Sequence, residues 1–104
     1  MSSTSLLGNR AEVHLSYTTF TQSSVTIHKG GKITLVDDVA VPHAIANGTW
    51  YNNSAQLLRE TNAPLVDVQL KGNDQHVIGL FATAGAYHLY CTIHQGMNLT
   101  VIVQ

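Results

Sequence analysis

The chain has 104 residues, the length of one ordinary domain, and 44% of them are apolar. Charged residues make up only 11%, where about a quarter is usual, and the formal net charge is −1. Because binding to nucleic acid depends on basic residues that neutralise phosphates, we expect no nucleic-acid partner.

The sequence also limits how the chain relates to membranes. No apolar run approaches the roughly 20 residues that span a bilayer, and the first residues lack the charged-then-apolar order of a signal peptide. We therefore expect no membrane span in this chain, although a leading Met before a Ser/Thr-rich stretch is compatible with a removed signal or anchor. We predict a flexible segment over residues 1–10 and a single domain over residues 11–104.

The first predicted elements are strands. Ala11, Val13 and Leu15 alternate with polar residues, a period of two that is typical of a half-buried strand. The pattern returns in "SVTIHKG" and "KITLVDD". Gly30-Gly31, between these two segments, predicts a tight hairpin because glycine readily adopts positive φ angles.

The middle of the chain is harder to interpret. The segment "VPHAIANGTWYNNSAQLLRETNAP" is rich in Asn, Gly, Ser and Pro, which predicts long loops with one helical turn over Ser54–Arg59. Strand character resumes in "PLVDVQL", "HVIGLFA", "AYHLYC" and "LTVIVQ". About seven short strands without helical periodicity predict an all-β fold, an antiparallel β-sandwich.

The segment "YCTIHQGM" contains the only cysteine, Cys91, followed by His94 and Met97 in a loop between two predicted strands. A single cysteine cannot form an internal disulfide, so Cys91 is a buried apolar residue, a reactive thiol or a metal ligand. Thioether sulfur is a soft, weak ligand that favours copper. Two histidines and one cysteine with a distant methionine form the ligand pattern of blue-copper sites, so a second histidine is required.

His43 is the best candidate for that second histidine. It follows Val41-Pro42 after the third predicted strand, where Pro42 stiffens the backbone and a loop begins. The other histidines occupy positions typical of solvated turns or strand faces: His14, His28, His76 and His88.

Two segments resemble the cupredoxins, the small type 1 copper proteins. "DDVAVPHAIANG" is similar to the family's element with the first histidine, and "GLFATAGAYHLYCTIHQGM" is similar to its "F…G-x-Y-x-x-x-C-x-x-H…M" ending. The Cys-Thr-x-His-x-x-Met spacing resembles the amicyanin and pseudoazurin type, and "HQG" resembles plastocyanin. The resemblance implies a Greek-key β-sandwich of about seven to eight strands. It also implies one copper ion with His43, Cys91 and His94 as equatorial ligands and Met97 as the axial ligand.

The resemblance further implies a function. Cupredoxins shuttle single electrons between a redox donor and an acceptor protein by cycling Cu(I)/Cu(II), and they are not enzymes. Electrons usually pass through the exposed edge of the second histidine, here His94, and the aromatic residue beside the cysteine, here Tyr90, offers a second route. We expect a monomer in a periplasmic or other extracytoplasmic setting. A membrane anchor in the full-length form is compatible with this expectation.

The chain departs from the family pattern at two positions. The residue after the first histidine is often Asn or Ser, which ties the two ligand loops together, but here it is Ala44. Many relatives have Pro where this chain has Ile93, which predicts a less rigid loop.

Several alternatives stay open from sequence. The same soft ligands would suit a copper chaperone or storage module, and Cys91 would suit an enzyme in which it acts as a nucleophile. Met97 could instead fill a gap in the core. Trp50 could pack under the loop or lie near the site.

Overall fold

The computed structural model describes residues 10–104, so the segment predicted over residues 1–10 lies, except for Arg10, outside the described residues. The described part contains nine strands and no helix: β1 (Arg10–Leu15), β2 (Ser24–Ile27), β3 (Gly31–Asp37), β4 (His43–Tyr51), β5 (Ser54–Leu57), β6 (Asp67–Leu70), β7 (Gln75–Phe81), β8 (Gly85–Cys91) and β9 (Asn98–Val103). Accordingly, none of its elements is a helix long and apolar enough to cross a membrane. The all-β prediction is confirmed.

The strands form two sheets that share one core. One sheet has the order β1-β3-β7, and the other has the order β2-β9-β8-β4, with β5 and β6 both paired to β4. Alternating exposed and buried residues along β2, β6 and β9 place one face of each strand against the core, as the period of two predicts. The result is a β-sandwich with a continuous apolar interior.

The sheets are mixed, whereas the sequence predicted an antiparallel sandwich. β1 pairs with β3, and β2 pairs with β9, in parallel. The predicted hairpin at Gly30-Gly31 is therefore wrong, although a turn is present, because β2 and β3 belong to different sheets. Gly30 has a φ of 83°, and the turn carries the chain from one sheet to the other.

The middle of the chain also differs from its prediction. Strand β4 runs through nine of the residues predicted as loop, and strand β5 replaces the predicted helical turn over Ser54–Arg59. The two strands are joined by Asn52 and Asn53, both with positive φ, as a two-residue hairpin turn of mirror-image type requires. Asparagine tolerates this conformation, so residues that were taken as loop signals in fact build the turn.

Candidate metal centre

Strands β4 and β8 bring two of the predicted ligands together. Their antiparallel register places Ile45 opposite Cys91, so that His43, two residues before Ile45, lies on the same face as the thiol. His43 is 1% exposed, and Cys91 is fully buried. The strand pairing thus joins residues that are 48 positions apart in sequence.

Three potential ligand atoms converge at this point. The Cys91 Sγ lies 3.7 Å from Nδ1 of His43 and 3.3 Å from Nδ1 of His94, and the three groups form a cluster within 4.8 Å. A first-row metal such as zinc bonds imidazole nitrogen at about 2.0 Å and thiolate at about 2.3 Å, which separates the two donors by roughly 3.5–3.7 Å. The two sulfur–nitrogen distances are therefore close to those expected around one metal ion.

A hydrogen bond on the side of the ring away from Cys91 fixes the orientation of His43. Its Nε2–H donates a hydrogen bond of 2.8 Å to the backbone carbonyl oxygen of Ser16, an atom that can only accept. The proton must therefore be on Nε2, which leaves the Nδ1 lone pair directed towards the thiol. Such a hydrogen bond to the far nitrogen is the usual way in which a protein orients a histidine ligand.

A buried carboxyl group stands behind the same ring. Asp37 is 1% exposed, and its Oδ1 lies 4.0 Å from His43 Nε2 and accepts a hydrogen bond from the backbone N–H of Val39. Burial raises the pKa of Asp37, since desolvation disfavours the charged carboxylate. Asp37 was not identified from sequence, where it was simply the acidic end of the third strand.

His94 is the most accessible of the three groups. It is half-buried, and its ring is tilted against that of His43 with a centroid distance of 4.8 Å. Desolvation, and secondly the neighbouring His43, lower the pKa of His94. A lowered pKa keeps the imidazole neutral near pH 7, the form that binds metals.

Met97 lies at the other end of the same loop and is buried. Its backbone carbonyl accepts a hydrogen bond from the N–H of Cys91, and its own N–H donates to the carbonyl of His94. Gly96, with a φ of 80°, supplies the positive backbone angle that closes this turn. We call Cys91–Met97 the ligand loop.

The two positions that depart from the family pattern have different surroundings. Ala44 lacks a polar side chain, but its backbone carbonyl accepts a 2.7 Å hydrogen bond from the N–H of Thr92, so the loops are tied through the backbone. Ile93 is 55% exposed beside His94 and presents an apolar side chain to solvent.

The aromatic residues near Cys91 occupy positions that the sequence did not decide. Tyr90 is 2% exposed, so its ring offers little surface to a partner protein, which does not favour the implied second electron route. Trp50 packs edge-on against Tyr90 at 5.9 Å, and its indole N–H donates to the carbonyl oxygen of Cys91 at 2.8 Å. No local sequence signal identified Trp50, because its contact lies 41 residues away.

Two of the remaining histidines have partners outside this cluster. The His14 Nδ1 lies 2.7 Å from a carboxylate oxygen of Asp38, and the His88 Nδ1 lies 2.6 Å from one of Glu60. The described residues contain one group of three or more His, Cys, Asp or Glu side chains that could hold a metal ion, formed by His43, Cys91 and His94.

Comparisons with known proteins agree with this geometry. Residues 9–104 match the model of a family described as "Copper binding proteins, plastocyanin/azurin family". None of the curated protein sequences is significantly similar to this chain.

Several solved structures have a similar fold. Amicyanin from Paracoccus versutus (Thiobacillus versutus) is 22% identical with a TM-score of 0.70, covering 92% of this chain and 82% of that one. The reduced Cu(I) form at pH 4 of an amicyanin mutant is 18% identical with a TM-score of 0.70, covering 91% and 82%. A further reduced amicyanin mutant is 18% identical with a TM-score of 0.69, covering 92% and 83%.

The family match, the similar fold and the donor set converge on one metal. The family match extends over nearly the whole chain. Cys91, His43, His94 and Met97 supply a thiol, two imidazoles and a thioether, the donor set of a type 1 copper site, and the thiol and both imidazoles converge. The chain belongs to the plastocyanin/azurin family of copper-binding proteins, and its metal is copper.

Proposed function

We propose that the protein is an electron carrier that passes single electrons between a donor and an acceptor protein. In the proposed site, His43, Cys91, His94 and Met97 would hold the copper ion through two imidazoles, a thiolate and a thioether. Copper supplies the redox couple, Cu(I)/Cu(II). The observation that carries the proposal is the convergence of one thiol and two imidazoles in a single cluster, of which only the His94 ring is half-buried.

The surrounding residues support a role in which the site changes little between oxidation states. His43 is held by the carbonyl of Ser16, and the ligand loop is held by its own backbone hydrogen bonds and by that from Thr92 to Ala44. A site fixed by the fold in this way has little freedom to rearrange, so each electron transfer requires little reorganisation.

His94 is the proposed point of electron entry and exit. It is half-buried, whereas the other proposed ligands are buried, so its ring edge is the part of the site nearest to solvent. The exposed Ile93 beside it provides an apolar contact. We infer that redox partners dock on this neutral surface, and that the protein acts as a monomer outside the cytoplasm.

Burial of the ligands also distinguishes the carrier from the alternatives. A chaperone must release its metal readily, but His43, Cys91 and Met97 are each no more than 1% exposed. An enzyme that used Cys91 as a nucleophile would need a substrate to reach a thiol with no exposed surface. The burial of the ligands favours retention of the metal over its transfer. The inaccessible thiol favours redox chemistry over nucleophilic attack.

The proposal is tested by adding Cu(II) to the metal-free protein and recording the visible spectrum. We expect an intense thiolate-to-copper band in the wild type, its loss in Cys91→Ala, and its retention in His28→Ala, which removes an exposed histidine outside the cluster. A colourless wild-type protein would contradict the copper site. Rapid loss of copper to a chelator would contradict the carrier and favour a chaperone.

A further inference from the structure

The β4–β5 hairpin lies against the ligand loop and contacts it at several points. At the start of the loop, the indole N–H of Trp50 donates to the carbonyl oxygen of Cys91 at 2.8 Å. In the middle, the side-chain amide of Gln95 donates to the carbonyl oxygen of Asn53, in the hairpin turn, at 3.2 Å. The hairpin therefore follows the loop along its length.

Asn98 joins the two segments where the ligand loop ends. Its Oδ1 accepts a hydrogen bond of 2.8 Å from the backbone N–H of Trp50, and its Nδ2 donates one of 3.1 Å to the backbone carbonyl of Trp50. A single amide side chain thus satisfies both backbone groups of one residue. Together with the indole bond to Cys91, these contacts link Trp50 to both ends of the loop.

The hairpin geometry explains why the backbone of Trp50 is available. In the register, Tyr51 pairs with Ser54 around the two-residue turn, and Trp50 pairs with Ala55. Backbone groups of successive strand residues point to opposite edges, so those of Trp50 point away from β5. Without Asn98 they would need water or another partner.

The ligand loop has features that call for such support. It contains Gly96, which has open space around its Cα, and the exposed Ile93. Ala44, on the facing strand β4, contributes a backbone carbonyl. A loop without other restraint would lose conformational freedom when the ligands gather around a metal, which weakens binding.

We propose that Trp50 and Asn98 are positioning residues that hold the ligand loop in its metal-binding conformation before the metal binds. This inference rests on the proposed ligand role of Cys91, His94 and Met97. Trp50 fixes the backbone of Cys91 through its carbonyl, and Asn98 fixes Trp50. Neither residue contacts the metal itself in this proposal, because each acts through the backbone of the loop.

The test is amide hydrogen exchange in the metal-free protein. Trp50→Phe removes the indole donor but keeps an aromatic ring against Tyr90, and Asn98→Ala removes both amide contacts. Loss of one hydrogen bond is expected to speed exchange of the Cys91 and Met97 amides by roughly two- to tenfold. The increase is expected to be larger in Asn98→Ala. Amides of β3, in the other sheet, should exchange at the wild-type rate.

A matched control uses the same hairpin. Gln56→Ala changes an exposed residue of β5 whose side-chain amide, within residues 10–104, donates only to the hydroxyl of Ser54, so loop exchange should be unchanged. Unchanged loop exchange in both Trp50→Phe and Asn98→Ala would overturn the proposal. Equal acceleration in the loop and in β3 would also overturn it, since it would show a general loss of stability.

A second readout concerns the copper-loaded protein. The thiolate-to-copper band should shift in wavelength in Trp50→Phe and keep its wild-type position in Gln56→Ala, because only the first variant alters the setting of Cys91. A band at the wild-type wavelength in Trp50→Phe would overturn the positioning role. The exchange experiment needs no metal. A colourless wild type would therefore refute the proposed function, while the exchange rates of the loop amides would still decide whether Trp50 and Asn98 position the loop.

Discussion

At the residue scale, the site depends on which nitrogen of each imidazole carries no proton and can bind a metal. The Ser16 carbonyl accepts from Nε2 of His43, which directs Nδ1 to the thiol, and desolvation lowers the pKa of His94, which favours its neutral, metal-binding form. The sequence identified the residue types but could not identify these atoms, since the partners of His43 come from a distant loop. Met97 is the residue whose role is least fixed by its position, because burial suits both a ligand and a core side chain.

Met97→Leu separates these two roles. Leucine has a similar volume, so the apoprotein should lose less than about 1.5 kcal/mol of unfolding free energy. Loss of a weak donor that stabilises Cu(II) should raise the reduction potential, as measured by voltammetry of the loaded protein. An unchanged potential would show that Met97 acts only in the core.

A second prediction at this scale concerns His14, which is outside the site. A hydrogen bond from its ring to Asp38 raises the pKa of His14 above the ordinary 6.5. The charged ring should therefore stabilise the fold below about pH 6.5, and this stabilisation should be lost as pH rises through the raised pKa. The effect is expected to be small because 41% of the side chain is exposed.

An NMR titration of the histidines in wild type and Asp38→Asn measures this effect. Asp38→Asn removes the carboxylate, so the pKa of His14 should fall towards its ordinary value. A wild-type pKa of His14 at or below 6.5 would contradict the assigned ion pair.

At the element scale, β4 organises the molecule. It pairs with β6 and β8 in its first half and with β5 in its second, so it contributes both His43 and Trp50. Gly48 stands where these pairings change, with a φ of 137°. A Cβ there would overlap the backbone carbonyl of Gln56 and approach the Tyr90 ring to 2.8 Å. Sequence patterns treated this glycine as a loop signal, because the close approach arises only after pairing.

Gly48→Ala should therefore destabilise the protein by roughly 1–3 kcal/mol, the cost of a strained backbone, with additional cost from the overlap. Gly30→Ala is the matched control, since Gly30 also has a positive φ but open space around it. Urea denaturation of the two variants should show the larger loss in Gly48→Ala. Equal losses would mean that backbone conformation alone explains both.

At the scale of the whole molecule, the low charge predicts that salt has little influence on association with a partner. The net charge of −1, with 11% charged residues, provides no field to steer a partner. The exposed Ile93 next to the half-buried His94 suggests apolar docking instead.

The electron self-exchange rate of the copper-loaded protein should then change by less than about threefold between low and physiological ionic strength. NMR line broadening in mixtures of the two oxidation states measures this rate. A tenfold change with salt would indicate a charged docking surface and contradict the neutral one.

The sequence by itself determined the all-β fold class, and it identified the candidate donor set. These follow from local features: the period of two along strands such as β9, and the Cys91, His94 and Met97 spacing within one loop. Pro42 beside His43 was also a local signal. Each could be recognised within about ten residues of chain.

The tertiary structure decided how distant segments meet. It placed His43 beside Cys91 through the β4 and β8 register, paired β2 with β9 in parallel, and put Trp50 and Asn98 against the ligand loop. These pairings join segments tens of residues apart, and nothing in the local sequence of either segment records its partner. Their energies depend on the complete fold, which is why the candidate ligands could be predicted from sequence and the contacts of Trp50 and Asn98 could not.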